Sequence, residues 1–227
     1  MTPKDIKVVK RDGENTPLDL EKIHHIVEHA CRGLAGVSES QVEMNSGLQF
    51  FDGITTKDIQ EILIRSANDL ITLDNPNYQY VAARLLLFGL RKAVYDGHPD
   101  KHPKLVDLVK ACVDKNVYEA DILNKFTDEE WEQLNGYIDH DRDYLFTYAG
   151  IRQVVDKYLV QDRSTGEVFE TPQFMYMMVA ATLFQNDDKF YRLEYIKKYY
   201  DAISKHRINI PTPIMAGVRT PTRQFAS

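Results

Sequence analysis

Cysteine is scarce in this chain: its 227 residues include two, Cys31 and Cys112. They lie far apart and form no CxxC pair, which excludes a disulfide framework or a zinc ribbon as the organising device. Long apolar runs are also missing. No stretch approaches the roughly 20 residues needed to span a bilayer, and the opening Met1-Thr2-Pro3-Lys4-Asp5 lacks the apolar core of a secretory signal. The expected setting is the cytoplasm, away from membranes. Positive charge is in deficit, with 28 Lys and Arg against 34 Asp and Glu, a net charge of -6. Nucleic-acid binding draws most of its affinity from neutralised phosphates and needs a basic face, so nucleic acid is not an expected partner. A small basic pocket for one polyphosphate is compatible with this balance. Neither GxxxxGK[ST] nor GxGxxG occurs, so any nucleotide must be held by a device other than the common phosphate loops.

What is present is mostly helix signal. Residues 6–10 alternate and meet Arg11-Asp12-Gly13-Glu14, a hairpin turn. Asp19 stands where it can cap a helix whose apolar stripe is Leu20, Ile23, Val27, Ala30 and Leu34. Ser38 with Gln41 reads as a capping box opening a second helix towards Phe51, and Thr55 with Asp58 repeats the signal before a third. Asp74-Asn75-Pro76 starts a fourth, with Pro76 at its first position, running to about Tyr95. Gly97-His98-Pro99 breaks the chain. The first unit is thus a small β-element followed by four helices. Beyond it, helices are expected over 103–115, 127–137, 143–159, 172–184 and 189–205, with a hairpin about 162–166 and an extended end at 208–211, because residues before proline avoid the helical region.

Several polar groups invite a chemical reading. The hairpin turn is expected to put Lys10 and Arg11 near the start of the first helix, whose amides favour anions, with Lys22 in its first turn and Arg91-Lys92 ending the fourth helix. Lys22 opposes the helix dipole where it stands and is somewhat misplaced for stability alone, although charged residues in such places are usually solvated surface. His25, Glu28 and His29 match the HxxEH pattern of inverted zincins. The match specifies only three residues on an ordinary amphipathic helix, and a surface helix is the simpler reading. Asp139-His140-Asp141-Arg142-Asp143 could bind metal or exchange protons, but acids ahead of a helix more often act as caps. Free cysteines are buried by default.

Three stretches together resemble one family. Val8-Val9-Lys10-Arg11-Asp12-Gly13 with Leu18-Asp19-Leu20-Glu21-Lys22-Ile23 resembles the opening of an ATP-cone domain. The run from Asp74 through Asn75-Pro76-Asn77-Tyr78 to Leu85 is similar to the last cone helix of class I ribonucleotide reductases. The tail from Pro211-Thr212-Pro213-Ile214 to Phe225 resembles the first strand and loop of that family's catalytic barrel. The resemblance implies a mainly α chain: an ATP cone at 1–96, made of a four-helix bundle capped by a small sheet, a helical domain at 97–207, and the start of the ten-stranded α/β barrel at 208–227. It implies a subunit that takes part in reducing ribonucleoside diphosphates to deoxyribonucleotides.

Carried over by position, the resemblance implies a nucleotide site of Lys10, Arg11, Thr16, Pro17, Leu18, Asp19, Leu20, Glu21, Lys22, Thr56, Asp58 and Lys92. ATP would be the activator, dATP a possible inhibitor, and Mg2+ would arrive with the nucleotide, with no metal held by side chains. Thr212 and Ser227 match residues that hold the ribonucleoside diphosphate. The implied partners are the remainder of the large subunit, a second large subunit and a radical-generating β subunit. Gln60 and Gly89 stand where relatives with a dATP switch often carry histidines, and His29 replaces a tryptophan, so weak or missing dATP inhibition is expected. The family's redox cysteine directly follows the position of Ser227, and neither Cys31 nor Cys112 matches it, so the chain is not expected to perform the radical chemistry alone. A free-standing cone regulator is the alternative.

Overall fold

The computed structural model describes residues 6–10 and 12–223, and they fall into two compact units. The first runs to Gly89 and takes in Phe146–Arg152. Its sheet begins with β1 (Lys7–Val9) and β2 (Asn15–Pro17), paired antiparallel through Lys7–Pro17, Val8–Thr16 and Val9–Asn15. Gly13 takes the turn position at φ 85°, a left-handed conformation that glycine adopts without a Cβ clash. β3 (Ile54–Thr55) adds on the other side of β1, in parallel, through Val8–Ile54 and Val9–Thr55.

Four helices pack with this sheet: α1 (Leu20–Cys31), α2 (Glu39–Gly47), α3 (Thr56–Asp69) and α4 (Tyr78–Val94), the last continuing beyond Gly89 into the second unit. Each start follows from a local side chain. Asp19 accepts from the Lys22 amide at 3.0 Å. Thr55 and Asp58 form a complete capping box. Ser38 does only half of the expected job: it accepts from the Gln41 amide, but the Gln41 side chain does not return to the cap. The hydroxyl of Tyr78 takes that place, accepting from Ser38 N at 2.9 Å and donating to Gln41 Oε1 at 2.7 Å, so α4 completes the cap of α2. Arg84 similarly closes the far end of α1, donating to the carbonyls of Ala30 and Arg32 at 3.1 and 2.7 Å. Helix α4 begins at Tyr78 rather than at Pro76, because Pro76 and Asn77 form a preceding turn.

The second unit, Leu90–Leu145 with the chain from Gln153 on, is built around α8 (Pro172–Phe184). Every residue of α8 from Pro172 to Thr182 is buried, and a helix apolar on all sides belongs in a core. Around it stand α5 (Leu105–Asp114), α6 (Asp128–Tyr137), the end of α7 (Tyr148–Lys157), α9 (Arg192–Ser204) and α10 (Thr212–Gly217). The expected helix over 143–159 is divided into a 3₁₀ turn, His140–Leu145, and α7. Asp143 does not cap α7 but is fully buried, accepting from Arg91 and Gln173 at 2.9 Å each. Asp139 does cap, accepting from Asp141 N at 3.2 Å. The hairpin near 162–166 is present, with Gln161 bridged to Val168.

The extension expected at 208–211 is kept by Pro211, with φ -59° and ψ 144°, but the barrel strand and loop that the resemblance implied for the tail form no strand among the described residues. Residues 212–217 form α10, with Met215 N donating to Pro211 O at 3.1 Å and Val218 N to Ile214 O at 3.3 Å. A strand needs a neighbour for its backbone groups; lacking one among the described residues, this segment closes its own hydrogen bonds, and Pro213 is tolerated in a first turn. It is anchored by Arg219, wholly buried, whose Nε donates to Glu170 at 3.0 Å while Tyr118 donates to the same carboxylate. Among the described residues no helix is long and apolar enough to cross a membrane.

Removing one member of a buried ion pair leaves the other uncompensated. Glu170→Gln should therefore destabilise the chain by about 3–5 kcal/mol, read as a lower urea midpoint at unchanged slope. The double change Glu170→Leu with Arg219→Met should recover much of that loss, and equal losses for single and double variants would contradict the pairing.

Candidate functional site

The sheet decides which of the candidate residues meet. Val9 pairs with Thr55 in parallel strands, so Lys10 and Thr56, each one residue further on, leave the sheet side by side. Asp58 belongs to the same corner, at the third position of α3, and its carboxylate is committed to the box: Oδ2 accepts from Thr55 Oγ1 at 2.7 Å. Lys10 is exposed and ion-paired to Glu14 at 2.6 Å, a bond that raises its pKa and keeps it cationic. Arg11 lies outside the described residues. At this corner a lysine therefore stands beside the open amides of a helix N-terminus, the two groups that favour an anion.

The remaining members of the set lie elsewhere on the unit. Thr16, half-buried, faces Val8 in the middle of the sheet, and Pro17 faces Lys7. Leu18 is buried and returns its amide to Ile6 O at 2.9 Å. Asp19, Leu20, Glu21 and Lys22 start α1 from the edge of the sheet opposite the turn. Lys10 thus leaves the sheet beside the start of α3, while α1 begins from the other end of the same hairpin. An antiparallel hairpin brings the chain back to where β1 began, two residues or roughly 7 Å from the turn. Lys92 lies near the end of α4, one turn beyond Gly89 and in the second unit. Its neighbour Arg91 is spent in the second unit, donating to Asp143 and to the His140 carbonyl.

Gln60, one turn after Thr56, is where two sequence departures become one feature. Its Nε2 donates to Leu85 O at 2.6 Å, and its Cγ lies 3.0 Å from where a Cβ on Gly89 would stand. The side chain at position 60 fills the space that a side chain at position 89 would need. A carbonyl can only accept, so the Leu85 oxygen also fixes which end of the Gln60 amide points inward.

The HxxEH residues do not converge on a metal. His25 Nδ1 is 3.6 Å from Glu28 Oε2, His24 rather than His25 makes the close contact, to Glu43 at 2.7 Å, and His29 is exposed. Among the described residues no group of three or more His, Cys, Asp or Glu side chains is arranged to hold a metal ion. Both cysteines are buried, and burial pushes their thiols up, to about 11 for Cys31 and about 12 for Cys112. Neither is poised as a nucleophile. Thr212 is exposed at the first position of α10, its hydroxyl 3.5 Å from that of Tyr158. Ser227 lies outside the described residues. Sequence reasoning missed Arg84, Glu170 and Arg219, whose partners are some fifty residues away and leave no local signal.

Residues 6–93 match the ATP cone domain, and residues 144–223 match the all-alpha domain of ribonucleotide reductase. The chain is 51% identical over 224 residues to the ribonucleoside-diphosphate reductase alpha subunit of Haemophilus influenzae, covering 99% of the chain and 29% of that protein. It is 50% identical over 223 residues to the ribonucleoside-diphosphate reductase 1 subunit alpha of Escherichia coli, covering 98% of the chain and 29% of that protein. It is 41% identical over 222 residues to the alpha subunit of Enterobacteria phage T4, covering 98% of the chain and again 29% of that protein. The chain therefore spans less than a third of the length of these curated relatives.

The contact at position 89 yields a coupling. Alanine ordinarily gains about 1 kcal/mol over glycine inside a helix, but at position 89 its methyl meets Gln60. Gly89→Ala should gain little or lose stability in the natural chain and should gain about 1 kcal/mol once Gln60→Ala has cleared the space. Thermal unfolding of the four proteins measures this, and strictly additive effects would refute it.

Proposed function

The chain is the counterpart of the N-terminal region of ribonucleoside-diphosphate reductase alpha subunits, an ATP cone followed by the all-alpha domain, and we propose that it is the nucleotide-sensing part of a class I large subunit. The observation that carries this reading is the cone match over 6–93 laid on the corner where Lys10 and the start of α3 come together. ATP is held on this first unit, its phosphates taken by Lys10, by Lys22 and by the amides at Thr56, with Mg2+ accompanying the nucleotide and Arg11, Thr16, Pro17, Leu18, Asp19, Leu20 and Glu21 shaping the site. Asp58 serves by fixing the first turn of α3. The domain limits follow the same reading, with the cone to residue 96, the helical domain to 207 and the substrate segment thereafter.

The reaction to which this sensing belongs is reduction of ribonucleoside diphosphates. Cys31 and Cys112 are buried with raised pKa values and are not its redox pair. The radical and redox steps belong to other residues of a full-length subunit paired with its own copy and with a radical-generating β subunit, while Thr212 and Ser227 contribute to the substrate's diphosphate site. A cone acting alone as a regulator would need only the first match; the second, over 144–223, favours the reductase. With Gln60 folded against Gly89, the side chains that respond to dATP in relatives are replaced, and dATP inhibition is weak or missing.

Calorimetry of the 227-residue chain with Mg-ATP should show one-to-one binding that weakens with salt. Lys10→Ala should lower affinity about ten-fold, equivalent to roughly 1.4 kcal/mol. No heat of binding, or an affinity indifferent to Lys10, would overturn the site. In a complete enzyme carrying this cone, dATP should leave most of the ATP-stimulated CDP reduction intact, and full shut-off would contradict the role given to Gln60 and Gly89.

A further inference from the structure

The second unit holds a pair of imidazoles that the nucleotide reading does not use. His102, in the segment joining α4 to α5, and His140, the first residue of the 3₁₀ turn, lie ring on ring, with centroids 3.7 Å apart and planes within 4°. Tyr95 meets His102 edge-on at 5.3 Å, and Phe174 meets His140 at 4.9 Å. His140 Nδ1 is buried without a hydrogen-bond partner. A neutral imidazole stacks as an aromatic ring does, whereas an imidazolium carries two N–H donors that both need acceptors or water.

The surroundings decide the charge. Helix α4 presents Arg91, the turn after it presents Tyr95, and Arg91 donates to the His140 carbonyl at 2.7 Å. The 3₁₀ turn contributes Asp141 and the buried Asp143, the latter already engaged by Arg91. The joining segment contributes Asp100, and α8 places Phe174 against the stack. Burial, then the second ring and Arg91, push His140 down to about 3. Burial and then Arg91 lower His102, with Asp141 and Asp100 opposing in part.

The joining segment has little else to hold it. No residue from 96 to 104 is buried, and Asp96 and Gly97 take left-handed turns at φ 49° and 87°. Apart from the rings, it is held by short-range backbone bonds, Gly97 N to Lys92 O, His98 N to Tyr95 O and Lys101 N to His98 O, by the start of α5 on Lys104 O, and by the exposed Lys104–Glu132 pair. We infer that the His102–His140 stack is a proton-released clasp: neutral rings hold residues 97–104 against the end of α4 and the 3₁₀ turn, and protonation of either ring frees them. The folded values lie below the ordinary 6.5, so the opened segment binds protons more readily than the closed one. Closure is therefore complete above about pH 6.5 and is lost progressively as pH falls from there towards 3.

Amide hydrogen exchange of the chain at pH 7 and pH 5, corrected for chemical exchange, tests this. Opening of residues 98–104 should rise ~20-fold at the lower pH, the ratio set by titrating one imidazole from its ordinary value, while α8 keeps its protection. His102→Phe and His140→Phe each keep a ring but remove one proton site, so each should reduce the response, and the double substitution should flatten it. Imidazole NMR of the natural chain should show His140 neutral at pH 6 and His102 titrating below its ordinary value. Equal opening at both pH values, a response that survives both substitutions, parallel loss of α8 protection, or a ring titrating near 6.5 in the closed state would each overturn the clasp. Should His140→Phe fail to fold, His102→Phe at its exposed position and the NMR titration decide.

Discussion

The parallel pairing of β1 with β3 joins segments some forty-five residues apart and places nearly everything of interest in the first unit. Lys7 N donates to Asp52 Oδ1 at 2.8 Å and Gly53 N donates to Lys7 O at 2.9 Å, so the approach to β3 is fixed as well as the strand. Parallel strands cannot be joined by a tight turn and need a long crossover; here α1 and α2 supply it. Because the strands run the same way, the residue after β1 and the first residue of α3 emerge at one edge. A lysine and a helix N-terminus are thereby neighbours without any glycine-rich loop, which explains how a chain lacking the usual phosphate motifs can carry an anion site.

The second unit rests on a different constraint, the burial of α8. A helix with no polar face must bring buried partners for each polar group that enters with it. Gln173 is satisfied on both sides, donating to Asp143 and accepting from Tyr200 at 2.9 and 2.8 Å. Glu170, just before the helix, is met by Arg219, Tyr118 and the Val160 amide. Arg192 forks onto Glu130, which also caps α6. These links draw together α4, the 3₁₀ turn, α8, α9 and the tail, and such networks specify one arrangement because any other leaves a charge unpaired.

The acidic run at 139–143 shows how one sequence pattern can hold two roles. Asp139 behaves as a cap, as acids ahead of a turn commonly do, whereas Asp143 is the buried anion that receives Arg91. Nothing local separates the two. Arg91, which the sequence shows only as part of the basic end of a helix, is the partner of that buried anion. The difference arises from which face of the helix meets the rest of its unit.

By itself the sequence determined what depends on neighbours within a turn or two: the hairpin at Gly13, the caps at Asp19, Thr55 and Thr127, and the apolar stripes of α1 and α3. A resemblance added the site residues, but not their arrangement. Tertiary structure alone decided that Lys10 leaves the sheet beside the start of α3, that Tyr78 and Arg84 cap other helices, that Gln60 fills the space beside Gly89, and that residues 212–217 form a helix rather than a barrel strand. Those outcomes rest on contacts between residues tens of positions apart, whose free energy exists only once the chain has closed the loops between them.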